Sequence, residues 1–390
     1  VSAAHDAYRQ GVDRLLGAKP APERAFQRAI DGDPEFAPAY VGLARAQFVA
    51  AHIPETKAAA AKARALIPKL EERERASAEI VLLTTEGASA KAYALAREHL
   101  KRYPTDAMAL APCCGVFGLI GFSGRQGREQ ELRQLMDELA PHYGDAPWFL
   151  VQHAFAQVET GDTEIARKTI ERAMALDPES AHGAHVKAHV HYEAGEKERG
   201  LTFLQQWIPA YAKEGLLHCH INWHIALWQL ELGDFDAAMK TYLAGVHPGA
   251  AWGPPINVLT DAASFLWRAE LAGNRGNAEL WHEVKRYGDQ CFPAAGLAFA
   301  DVHRALAYAA TGDELALETL LGELKAREEA GKLFAGPIVP RLAQAFDAFA
   351  KKDFAKAVAL IEPHMAEHER IGGSRAQRDL IELTLRAAAP

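Results

Sequence analysis

Apolar segments of helical length recur along the chain, each ending on a glycine and restarting on a polar residue. Gly161, Gly195, Gly233, Gly273 and Gly312 mark these boundaries, and Asp162, Glu196, Asp234, Asn274 and Asp313 follow them. A glycine past the last helical turn takes the left-handed conformation that closes a helix, and a short polar residue beyond it opens the next. The pattern predicts helix, tight turn, helix, repeated at a period close to the roughly 34 residues of a two-helix repeat.

Small residues hold fixed places around these glycines. Ala154 lies seven residues before Gly161, Ala166 and Ala173 lie five and twelve after it, and Pro178 closes the unit. Those are tetratricopeptide positions, where two helices cross so closely that a leucine would overpack them. Ala188 before Gly195, Ala226 and Ala238 around Gly233, and Ala305 and Tyr308 before Gly312 repeat the arrangement. Gly87, Ala92 and Pro104 keep it more loosely; Tyr40, Leu43 and Ala44 open an earlier helix; Lys352 and Asp353 stand in for a turn glycine ahead of Ala357. The expected fold is all-α, a right-handed α-solenoid of tetratricopeptide-like helix-turn-helix repeats. It is read as one continuous domain over 1–390, with divergent repeats in 1–145, regular repeats with a polar concave face in 146–330, and a C-terminal repeat and capping helix in 331–390. Steps of 38 to 40 residues between the later glycines predict longer loops there.

Gly115, Gly118, Gly121, Gly124 and Gly127 break the pattern by recurring every third residue. A phosphate-cradling loop needs a strand before it, and none is signalled. The plainer expectation is a helix face of small residues allowing close approach, followed by a loop.

Composition narrows the function classes. Frequent alanine and sparse β-branched residues suit a helical protein. A net charge of -8 with no concentrated Lys/Arg stripe argues against duplex nucleic acid and anionic membranes as partners. No apolar run approaches the roughly 20 residues that span a bilayer, and Val1 to Arg9 lack the features of a secretory signal, so a cytoplasmic location is expected. Cys113, Cys114, Cys219 and Cys291 fit neither a zinc knuckle nor a disulfide framework and read as reduced thiols.

In such an array the first helix of each repeat lines the concave wall, which is where binding residues belong. The expected ligand-binding set is His182, His185, His189 and Glu193 on one such helix, His220, Trp223 and His224 on the next, Asp261, Trp267 and Arg268 on the third, Asp301 and His303 on the fourth, and Arg378 near the C-terminus. The bland reading is that imidazoles and indoles fill space between helices, each satisfied by a neighbouring carbonyl or carboxylate.

Two sharper chemistries use the same residues. His185 with His189, and His220 with His224, are i, i+4 pairs whose imidazoles can meet one ion, and two such pairs on adjacent helices could supply four ligands to a divalent transition metal. Neither pair has the glutamate of an H-E-x-x-H metalloprotease. Alternatively His185, His189, His224 and Asp261 are candidates for acid–base catalysis, with Arg268 receiving an anionic group. Ser264 sits mid-helix, outside any nucleophile-elbow context. Near the C-terminus, Ser374 and Gln377 predict a capping box opening the last helix behind Gly372 and Gly373, and Arg375 and Arg378 make that helix start a candidate anion seat.

Taken together, His185 to His189, the run His-Ile-Asn-Trp-His from His220 to His224 with the following Leu-Glu-Leu-Gly-Asp, Asp261 to Glu270, and Gly372 to Asp379 resemble the tetratricopeptide repeat protein 38 family. Looser similarity runs from about Ala7 onward. The sequence departs from the family in having His-Val-Lys-Ala-His at His185–His189, and Arg375 where a histidine is expected. The resemblance implies a cytoplasmic superhelix of helix pairs and brings no established reaction.

Three functions follow as expectations. The first is a binding protein for a small polar or anionic molecule, or a peptide, on the His/Trp/Arg-rich face. The second is an enzyme using the same His/Asp/Glu/Arg set for acid–base or metal-assisted chemistry, favoured if the last helix caps the polar wall. The third is a protein–protein scaffold, favoured by long exposed apolar patches.

Overall fold

The computed structural model describes residues 2–389, and among these every regular element is helical, with twenty-one α-helices and no strand. The chain forms two compact units. The first comprises the chain up to Ile120 together with Gln130–Val190 and Trp207–Leu217; the second comprises Gly121–Glu129, His191–Gln206 and the chain from His218 onward. The divisions expected near 145 and 330 each fall inside one of these units.

In the first unit Ala3–Leu16 packs with Pro22–Gly32, Ala37–Val49 with Ile53–Leu66, Glu72–Thr85 with Ser89–Arg102, and Pro147–Glu159 with Thr163–Leu176. The two helices of a pair differ in how much they bury. Nearly every side chain from Phe149 to Glu159 is buried, whereas Thr163–Leu176 buries only Ala166, Ile170 and Ala173, the single stripe that a 3.6-residue period produces. The turn after the first helix is tied to chain far downstream: the Gly17 carbonyl accepts from the Ala181 amide at 2.9 Å, and the Tyr211 hydroxyl donates to the Ala18 carbonyl at 2.7 Å.

The second unit repeats the scheme. His218–Glu231 packs with Phe235–Gly245, Pro255–Leu271 with Ala278–Cys291, Ala298–Thr311 with Glu314–Glu329, and Ile338–Ala350 with Phe354–Ile361. Again the first helix of a pair is buried on most sides and the second on one. The last helix, Arg375–Ala388, packs against Pro255–Leu271 and Phe354–Ile361. It opens with the expected capping box: the Ser374 side chain accepts from the Gln377 amide, and the Gln377 side chain accepts from the Ser374 amide.

These are tetratricopeptide-like helix pairs, and the small-residue positions show why. Ala92, Ala154, Ala166, Ala188, Ala226, Ala238, Ala305 and Ala357 are all completely buried, leaving no space for a longer side chain. The turn glycines adopt positive φ, +90° at Gly161 and +67° at Gly312, in open space where only the backbone angle calls for glycine. Lys352 takes the same conformation at φ +63° despite its side chain, as its place in the repeat predicts.

The glycine run differs from expectation. No helix forms over 115–127; after the short turns Ala107–Leu110 and Ala111–Cys113 the chain is irregular until Arg128. Gly115, Gly124 and Gly127 take positive φ, which interrupts any helix. Close approach does occur, since a Cβ at Gly124 would lie 2.5 Å from the Phe334 carbonyl carbon. The longer loops fall where the wider glycine spacing puts them, at 211–217, 246–254 and 292–297. No helix among the described residues is long and apolar enough to cross a membrane.

Candidate functional site

The polar residues of the second unit gather on the buried first helices of its pairs. His220, Trp223 and His224 share one side of His218–Glu231, because residues three and four apart align on a helix. His220 and Trp223 stack at 5.1 Å and 14°, and His220 meets His224 edge-on at 4.9 Å. Nδ1 of His220 donates to Oδ2 of Asp261 at 2.8 Å, since the carboxylate can only accept. That bond fixes the tautomer of the ring with the proton on Nδ1. On its other side Asp261 accepts from the Gln377 side chain at 3.5 Å, so the capping box of the last helix also reaches the buried carboxylate.

Arg268, two helical turns further along Pro255–Leu271, is a strut. Its Nε donates to the Ser264 hydroxyl at 3.2 Å, Nη1 to the Tyr192 hydroxyl at 3.2 Å and Nη2 to the Ala376 carbonyl, while the guanidinium lies 5.6 Å from the centre of the Trp223 ring. Burial works against its charge, and Tyr192 and Asp379 more than offset this, so its pKa is raised. Tyr192 in turn donates to Asp379 at 2.7 Å. Trp267 faces an aromatic cluster of Trp281, Phe346 and Phe349, with its indole donating to the Thr384 hydroxyl at 2.8 Å. The last helix therefore covers the polar side of Pro255–Leu271.

Two buried polar atoms near Arg268 have no hydrogen-bond partner among the described residues: Nε1 of Trp223 and Nε2 of His303. His303 donates from Nδ1 to the Phe299 carbonyl at 2.7 Å, which puts a lone pair on Nε2. Burial, seconded by the nearby charge of Arg268, lowers its pKa to about 4, so the ring is neutral at pH 7. An indole N–H, a neutral imidazole lone pair and a guanidinium thus share one buried neighbourhood. The indole can donate to a ligand hydroxyl or carboxylate, and the imidazole can accept from a hydroxyl but not from an ionised carboxylate.

The remaining expected residues occupy other surroundings. Asp301 accepts from the Gly296 amide at 2.9 Å and from Arg304 at 3.5 Å; burial pushes its pKa up to about 6 against both. It lines a small cavity of about 40 Å³ with Arg327, Lys332 and Arg370. Arg378 donates to the Gly373 carbonyl and to Glu129, and Arg128 donates to that same carbonyl and to the Glu369 carbonyl, which fastens the chain before Arg128 to the turn ahead of the last helix. Glu193 pairs with Arg375 at 3.1 Å, and burial raises its pKa despite that arginine.

In the first unit His185 and His189 lie on the helix Ala181–Glu193 with His182, which is half-buried. Their Nε2 atoms are 2.8 Å apart, the rings meet edge-on at 4.5 Å, and Phe155 packs on both. Nδ1 of His189 lies 3.6 Å from the buried carboxylate of Glu159. Glu159 is absent from the expected set, and so are Tyr192, Asp379 and Thr384. Glu159 had a legible signal: it stands two residues before Gly161, as Glu193 and Glu231 stand before Gly195 and Gly233. Tyr192, Asp379 and Thr384 become visible only through the packing of the last helix.

No family model matches the chain. Among solved structures it is similar to a chain of the APC/C hetero-tetramer Cut9–Hcn1, with 11% identity and a TM-score of 0.47 over 96% of this chain and 69% of that one. It is also similar to human IFIT1, solved as a dimer with m7Gppp-AAAA, with 11% identity and a TM-score of 0.43 over 99% of this chain and all of the other.

Proposed function

We propose that the chain is a binding protein of the tetratricopeptide-like class that takes up a small polar or anionic molecule, or a polar peptide segment, at the buried set around Trp223, Asp261, Arg268 and His303. The observation that carries this is the pair of unpartnered buried atoms, Nε1 of Trp223 and Nε2 of His303. Leaving a buried donor or acceptor unsatisfied costs about 1–3 kcal/mol; a ligand hydroxyl or carboxylate that accepts from the indole removes that cost at Trp223, and a ligand hydroxyl or amine that donates to the imidazole removes it at His303. Kinship with the tetratricopeptide repeat protein 38 family belongs to the same proposal and rests on the motifs from His185 to Asp379. The four free thiols favour a reducing, cytoplasmic setting.

A second reading is supported by the cover that the last helix gives to Asp261. A carboxylate holding His220 in one tautomer, shielded from water, is the arrangement of a general base, and the reading is acid–base catalysis on the bound molecule.

The test is a melting screen of the full chain against carboxylates, phosphates, amino acids and polyols, repeated on Trp223→Phe, with proton NMR following any hit for turnover. Binding predicts a ligand whose stabilisation is lost in the variant while the variant alone melts near the native temperature. Equal shifts in both proteins overturn the site. Product formation selects the second reading.

A further inference from the structure

We propose that each of the chain's buried histidine pairs, His185 with His189 in the first unit and His220 with His224 in the second, binds a divalent transition-metal ion of the Zn²⁺ type. This does not depend on the small-molecule reading, which Trp223 and His303 carry.

Each pair has the parts of a metal site within its own unit. The i, i+4 spacing puts both imidazoles on one helix turn, and in the first unit the two Nε2 atoms stand 2.8 Å apart. Two nitrogens on one Zn²⁺, at about 2.0–2.1 Å from it, sit roughly 3.3 Å from each other, so a small opening of the rings admits the ion. All four imidazoles are buried. Neutral imidazole selects Zn²⁺, Ni²⁺, Co²⁺ or Cu²⁺ over Ca²⁺ and Mg²⁺, which take oxygen ligands.

Behind each pair stands a buried carboxylate. Asp261 accepts from Nδ1 of His220 at 2.8 Å, and Glu159 lies 3.6 Å from Nδ1 of His189. A metal-bound histidine characteristically turns its other ring nitrogen to such a group, which fixes the tautomer and makes the ligand nitrogen more basic. The competing account is a metal-free site in which His185 and His189 hydrogen-bond to each other and His220 to Asp261.

The experiment is equilibrium dialysis of the full chain against Zn²⁺, with bound metal counted by mass spectrometry, and against Co²⁺, read by its visible absorption. The proposal expects retention at micromolar free metal. It expects at least a tenfold loss at the altered pair in His185→Ala/His189→Ala and in His220→Ala/His224→Ala, and a weakening of about 10–100-fold at the His220 and His224 pair in Asp261→Asn, which keeps every ligand nitrogen. Far-UV circular dichroism checks that each variant is folded; if a double variant is not, Asp261→Asn decides for the His220 pair and Glu159→Gln, which also keeps the ligand nitrogens, for the His185 pair. Native protein that retains no metal, or Asp261→Asn and both double variants binding like the native chain, overturns the proposal. A double variant that binds like the native chain overturns it for that pair.

Discussion

Asp261 accepts a hydrogen bond from Nδ1 of His220 at 2.8 Å, with 1% of the aspartate side chain and 4% of the histidine side chain left to solvent. Water cannot replace either partner, so Asp261→Ala strands both His220 and Gln377 and should cost about 3 kcal/mol or more. Asp261→Asn keeps an acceptor in place and should cost about half as much. Urea unfolding followed by circular dichroism measures both; equal, negligible losses would show that the bond does not stabilise the unit.

Two neighbours on Ala298–Thr311 respond to acid in opposite directions. Burial holds His303 at about 4, below its ordinary 6.5, so the unfolded chain takes up a proton first. Its contribution to stability is whole above pH 6.5 and is lost as pH falls to about 4. Asp301 is pushed from 3.8 up to about 6, so the folded chain takes up that proton first and gains relative stability as pH falls from about 6 to 3.8. Each effect is about 3 kcal/mol, and in the native chain they largely cancel. His303→Asn should resist acid better than native and Asp301→Asn worse, as read from urea midpoints between pH 7 and 4; parallel profiles for all three proteins would contradict this.

Ala154 is completely buried where Pro147–Glu159 crosses Thr163–Leu176. Ala154→Leu should destabilise by about 1–3 kcal/mol through overpacking, and Ile165→Leu, on the exposed side of the second helix, should change stability by less than about 0.5 kcal/mol. Thermal melts of both variants give the comparison.

Backbone angle makes a prediction of opposite sign at two equivalent turns. Gly161 sits at φ +90° with nothing near its missing Cβ, so Gly161→Ala should cost about 1–2 kcal/mol through the backbone alone. Lys352 already bears that strain at φ +63°, and Lys352→Gly should stabilise by up to about 1 kcal/mol. Melting temperatures that moved the same way in both would refute the shared geometry.

The helix pairs were legible because their causes are local. A turn glycine, a buried alanine at fixed spacing and a capping serine each act within a few residues, and Gly161, Ala154 and Ser374 behave as their neighbours require. The glycine run misled because a regular three-residue spacing mimics a helix face, while positive φ at Gly115, Gly124 and Gly127 rules one out. Helical spacing singled out His220, Trp223, Asp261 and His303 as candidates, yet their partners were not all visible. Arg268 has the composition of an anion receptor, but Ser264, Tyr192 and the Ala376 carbonyl occupy its donors, two of these lying far away in sequence. Such a distinction depends on where the last helix packs, and no local pattern encodes that.

On the proposed reading the Trp223 indole is held ready for a ligand, and its own N–H proton reports on this directly. The indoles of Trp207, Trp267 and Trp281 already donate to the Pro178 carbonyl, Thr384 and Glu270. In a ¹⁵N–¹H spectrum, with the Trp223 signal assigned by its absence from Trp223→Phe, adding a ligand identified by the melting screen should shift that signal downfield and leave those three in place. A Trp223 signal that stays fixed at saturating ligand would contradict the account.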